Sequence, residues 1–177
     1  MTLRNGATMF GTGEYVVKAN SGICRIEEIT ELDLLDDGNL RPYYVVVPLD
    51  EKSNRLFVPV DTSTNVLRPV INEASAWEII HSIPSIPEPV FENEKIRENK
   101  YKEAIKSCDP KALIGILKSM YTRKKLRNEQ GKKSFAIDEH FFKLAENCLY
   151  SELAFATGKD KQDMDQLITD IIENNGE

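Results

Sequence analysis

The sequence carries little reactive chemistry. Its 177 residues include two histidines, His81 and His140, one tryptophan, Trp77, and three cysteines, Cys24, Cys108 and Cys148. Three widely spaced cysteines form neither a disulfide framework nor a CxxC metal site, so ordinary reduced thiols are expected. No GxSxG, P-loop or HExxH pattern is present. Gly11-Thr12-Gly13 lacks the third glycine of a dinucleotide fingerprint and precedes a strand pattern rather than a helix, which makes it a turn. Asp138-Glu139-His140 cannot close on one metal, because adjacent helical residues point in different directions; the run reads as a helix start capped by Asp138. With no nucleophile, base and orienting group together, no catalytic activity, cofactor, metal or small-molecule substrate is expected.

No run approaches the about 18 apolar residues that cross a bilayer, and Met1-Thr2-Leu3-Arg4-Asn5-Gly6 lacks the apolar core of a signal peptide, so the expectation is a cytoplasmic protein without a membrane partner. Hydrophobic residues make up 41% and charged residues 29% of the chain, enough apolar material to build a core.

What the sequence does have is a charge pattern that the overall net charge of −6 conceals. Residues 1–94 hold 7 Lys/Arg against 15 Asp/Glu, residues 95–133 hold 13 against 4, and residues 134–177 hold 3 against 10. A block of net +9 between acidic segments implies a local anionic partner despite the acidic whole. Lys and Arg attract phosphate by releasing condensed counter-ions, without needing a sequence code. Arg123, Lys124, Lys125, Arg127, Lys132 and Lys133 cluster at a predicted helix end and the following loop. The competing interpretation of such a run is a solvated face that favours a helix C-terminus.

Texture changes along the chain. From Glu14 to about Val70, short β-branched and aromatic runs alternate with turn residues: Glu14–Lys18, Gly22–Ile29, Tyr43–Val47, Asn54–Val60 and Asn65–Arg68, with turns at Asn20-Ser21-Gly22, Asp36–Asn39 and Asp50–Ser53. Five short strands in so few residues predict a small bent barrel that protects its own edges. A helix capped by Asn72 carries Ala76, Ile79, Ile80 and Ile83, and Pro84, Pro87 and Pro89 stop it, predicting a stiff linker. Beyond Phe91 the pattern is helical: Ile96, Tyr101, Ala104 and Ile105 on one face; a start at Asp109-Pro110 with Leu113, Ile116, Leu117, Met120 and Tyr121; then Phe142, Ala145, Leu149, Leu153 and Ala156 up to Gly158; finally Met164, Leu167, Ile168, Ile171 and Ile172. The predicted fold class is α+β, with a β-barrel at 9–70, a helix and Pro-rich linker at 71–90, and a helical bundle at 91–177.

Gly13-Glu14-Tyr15-Val16-Val17-Lys18 leading to Ser21-Gly22-Ile23, then Tyr43–Val47, then Leu56-Phe57-Val58-Pro59-Val60, resembles the RNA polymerase-interacting domain of the CarD/CdnL/TRCF family. Tyr101–Asp109 and Ala145–Ala154 are similar to helices of the same family, so the resemblance spans roughly residues 9–157. It implies a Tudor/SH3-like barrel that binds the polymerase β subunit, a helical domain at the upstream edge of the transcription bubble, and no enzyme activity. Carried onto this chain, it implies a polymerase-facing surface at Leu32, Arg55, Leu56 and Phe57, with core packing the alternative for whichever of Leu56 and Val58 faces inward. It also implies promoter DNA contacts from Lys95, Arg97 and Lys100 beside the downstream basic cluster. The family often places a tryptophan at the start of the helical domain as a minor-groove wedge, whereas this region reads Asn93-Glu94-Lys95-Ile96-Arg97. The only tryptophan, Trp77, precedes the proline stretch, and that wedging route is not carried over.

Overall fold

The computed structural model describes residues 10–50, 53–133 and 136–174. The chain divides into two compact units, one ending at Val70 and one beginning at Ile71. The class is α+β as expected: a five-stranded antiparallel sheet, then helices.

In the first unit, β1 (Tyr15–Lys18), β2 (Gly22–Leu32), β3 (Arg41–Pro48), β4 (Leu56–Pro59) and β5 (Leu67–Pro69) take the order β4-β3-β2-β1-β5. The sheet is open rather than the closed barrel predicted: β4 and β5 are its two edges, and they do not pair among the described residues. A bulge between Ile26 and Glu28 bends the long β2. Before the bulge β2 pairs with both β1 and β3; from Glu28 to Leu32, among the described residues, it pairs with β3 alone.

Val16, Cys24, Ile26, Tyr44, Val46, Val58 and Leu67 form the core with Phe10 and Val60. Two-residue periodicity puts Leu56 and Val58 on the same inward face, Leu56 half-buried against the core, and leaves Phe57 between them 46% exposed. Tyr44 is buried in full; its hydroxyl accepts the Phe10 amide at 3.0 Å, and burial pushes the phenol's pKa up. As its unbroken apolar run predicts, β3 is buried on both faces from Tyr43 to Pro48. Of the turn expected to join β3 and β4, Glu51 and Lys52 lie outside the described residues. The predicted extended run at 65–68 is shorter, because Ser63–Asn65 form a 3-10 turn before β5.

The second unit contains α1 (Glu73–Ser82), α2 (Glu94–Ser107), α3 (Pro110–Glu129), α4 (Ala136–Thr157) and α5 (Lys161–Asn174), with α4 packed against each of the other four. The predicted caps form: Asn72 accepts the Ser75 amide at 2.8 Å and Asp109 the Ala112 amide at 2.8 Å, with Pro110 in the first helical turn. Leu113, Ile114, Leu117, Leu149, Leu153, Met164 and Ile168 fill the interior. On α4 the predicted Ala145, Leu149 and Leu153 are buried, whereas Phe142 and Ala156 are only half-buried and Phe141 lies inside instead.

The proline stretch lies within this second unit, where a linker between units was expected. The Lys118 ammonium donates to the carbonyl oxygens of Ile83, Pro84 and Ile86 at 3.2, 3.3 and 2.7 Å. Thr122 Oγ1 donates to Glu88 Oε1 at 3.0 Å. A Cβ on Gly115 would come within 3.3 Å of the Pro87 oxygen, a tight contact that would require the strap to shift by a few tenths of an ångström on α3. Proline rigidity here serves a packed segment.

Candidate functional site

Two surfaces carry the residues singled out from the sequence, one in each unit. In the first unit, β4 is an edge strand whose outer side has no strand partner among the described residues, a template for pairing with another chain. Alternation turns Phe57 outward, beside which Arg55 stands 62% exposed with an ion pair to Glu27 at 3.1 Å. An ion pair this exposed is worth at most about 1 kcal/mol, so Arg55 can change partner readily.

Leu32 is not beside them. It pairs with Arg41, whereas Leu56 pairs with Val46, a separation along β3 of roughly 17 Å at about 3.3 Å per residue. It stands instead at the end of β2 beyond the bulge, a second stretch with one strand partner among the described residues.

Leu34, Leu35 and Leu40 are exposed in the turn next to Leu32, and sequence reasoning missed them. The signal was available as three leucines inside an acidic turn. That turn is built by Asp33, whose carboxylate accepts the amides of Asp37 and Gly38 at 3.1 and 2.8 Å. Asp37 pairs with Arg41, whose hydrogen bond lowers the Asp37 pKa.

In the second unit the folding of three helices gathers much of the basic cluster at one end of the bundle. Lys95 and Arg97 lie in the first turn of α2, and Arg123, Lys124, Lys125 and Arg127 in the last turns of α3. The Arg127 Nε donates to the Lys133 carbonyl at 2.8 Å, folding the loop of Lys132 and Lys133 back onto α3. Lys124 lies 5.8 Å from the centre of the Phe142 ring, and Lys125 is exposed.

Not all of these cations face water. Arg97 was expected to hold phosphate, yet its side chain is 7% exposed and its Nη2 lies 3.4 Å from Asp138 Oδ1. Arg123 shares the same carboxylate, Nε to Oδ2 at 3.4 Å. Lys100 is paired with Glu103 at 2.8 Å and Lys132 with the Gln130 side chain at 3.1 Å. Ile96, placed inside by periodicity, is exposed; Arg97 takes its place because its long apolar stem packs while its charged end meets Asp138. Asp138 is not the N-cap predicted, since α4 begins at Ala136 and the carboxylate, 13% exposed, faces the two arginines. Burial, followed by the Asp138 charge, raises the pKa of the neighbouring Tyr101 phenol. Trp77 stacks on His81 at 6.0 Å with Lys159 5.7 Å from its ring, a packing role.

Residues 10–71 match the family model described as the CarD-like/TRCF RID domain. The chain carries a CarD-like/TRCF RID domain. The matched span coincides with the open sheet and, through that family, points to RNA polymerase interaction in transcription regulation. No curated protein matches the chain. Among the described residues no helix is long and apolar enough to cross a membrane, and no three His, Cys, Asp or Glu side chains are grouped to hold a metal ion.

Proposed function

We propose that this protein is a non-enzymatic transcription regulator that binds the β subunit of RNA polymerase through its RID sheet and modulates initiation by contacting promoter DNA with the basic end of its helical unit. The observation that carries the reading is the RID match falling on a sheet whose edge strand β4 has no strand partner on its outer side among the described residues. Adding a partner strand to such an edge uses main-chain hydrogen bonds, while outward side chains such as Phe57 and Arg55 supply selectivity. Lys95, Lys124, Lys125 and Lys133 are exposed at one end of the helical unit and have the charge to hold phosphates. Weak intrinsic DNA affinity suffices, because anchoring on polymerase raises the effective concentration of the basic end near the promoter.

The test is capture of purified polymerase by the tagged full chain. Wild type should retain polymerase, Arg55→Glu should lose it, and changing Lys124 and Lys125 together to Gln should leave capture intact while weakening salt-sensitive DNA binding. Failure of wild type to retain polymerase refutes the reading.

A second reading, a protein-interaction adaptor without DNA contact, draws support from the internal pairing of Arg97 and Arg123 with Asp138. It requires that wild type bind no DNA even at low salt.

A further inference from the structure

We propose that Asp138 is the positioning residue of the basic end, its one carboxylate setting α2 and α3 in register so that Lys95, Lys124 and Lys125 meet a common stretch of phosphates. This rests on the DNA reading above.

Three helices converge on that carboxylate. Arg97 reaches it from the first turn of α2 and Arg123 from the last turns of α3, each at 3.4 Å, while Asp138 itself sits in the first turn of α4. Arg97 also lies 3.8 Å from Glu94, but that carboxylate is exposed and screened, so Asp138 is the carboxylate that balances the buried guanidinium, by charge rather than by a hydrogen bond, since Arg97 Nε and Asp138 Oδ1 have no hydrogen-bond partner among the described residues. Removing it would leave two guanidinium groups facing each other, one of them buried, and the cheapest relief is to swing the start of α2 or the end of α3 outward. Lys95 moves with α2, and Lys124 and Lys125 with α3.

Deleting a negative charge beside a DNA-binding surface should tighten binding, whereas loss of the clamp should weaken it. A single phosphate contact contributes a factor of roughly eight at about 0.1 M salt, from a slope of about 0.9 per phosphate.

The experiment is anisotropy titration of a labelled promoter duplex with the full chain across a salt series. Asp138→Asn should bind several-fold more weakly than wild type with a salt slope smaller by about one, and Asp138→Glu should recover the slope. Glu139→Gln, a charge deletion one residue away at an exposed position with no ion pair among the described residues, should bind slightly more tightly. Arg97→Lys preserves charge, so electrostatics alone predicts no change; the clamp predicts the same weakening and reduced slope, and this variant decides the matter if Asp138→Asn does not fold. Asp138→Asn binding as tightly as wild type, or Arg97→Lys with unchanged affinity and slope, overturns the clamp while leaving the DNA reading intact. Absence of wild-type binding at low salt removes both.

Discussion

Replacing Lys118 with Met tests whether the proline stretch is a packed strap. The substitution keeps the apolar stem against α3 and removes the ammonium from the carbonyls of Ile83, Pro84 and Ile86. Hydrogen bonds to a charged group contribute about 1.5–3 kcal/mol each when well formed. Here the Ile86 bond is short at 2.7 Å and the other two are long at 3.2 and 3.3 Å, and the site is only half-buried, so water can replace part of what is lost. The expected destabilisation is about 2 kcal/mol, or roughly 8 °C in Tm at about 4 °C per kcal/mol for a unit near 100 residues. Urea unfolding followed by fluorescence of Trp77, which lies on α1 in the same unit, gives the free energy. Hydrogen exchange at the Ile86 amide, which donates to the Ile83 carbonyl at 3.2 Å, reports the strap locally. A loss below about 0.5 kcal/mol, the scatter of ordinary surface substitutions, with Ile86 exchange unchanged, would refute the reasoning and return the segment to a solvated linker.

Glu146 gives a pH signature: burial, then the charge of Asp165, raise its pKa to about 7. A folded carboxyl with a raised pKa favours the folded state while protonated, so its contribution is present at low pH and is lost as pH rises from the ordinary carboxylate range through about 7. Glu146→Gln should flatten the stability profile across that window and stabilise at pH 8 by about 1–2 kcal/mol after screening, and an unchanged profile by chemical denaturation would count against it. In β4, Val58→Ala should cost about 2 kcal/mol of stability, since Val58 is buried in the core. Phe57→Ala should stay within about 0.5 kcal/mol yet weaken polymerase capture, and loss of stability without loss of capture would place Phe57 in the core instead.

Local signals are most legible where the deciding partners are neighbours in sequence, although the expected cap at Asp138 does not form. Asn72, Asp109 and Pro110 cap and start helices as expected because a cap bonds an amide three residues on. The unbroken apolar run in β3 announced burial on both faces. The basic cluster was visible from composition, and α2, α3 and the loop do bring much of it to one end of the bundle. Its internal neutralisation was not visible, because Arg97 and Arg123 meet Asp138 only after three helices pack.

Sequence by itself determined the α+β class, the sheet-then-helix order and the charge pattern, since each follows from period, turn residues and caps acting over a few positions. Tertiary structure alone decided that the sheet stays open, that Ile96 faces out while Arg97 faces in, and that the prolines form a strap. Each depends on residues far apart in sequence: whether β4 and β5 meet, Asp138 for the arginines, and Lys118 for the strap. Periodicity states which faces of an element can be buried; it does not say which other element will arrive to bury them.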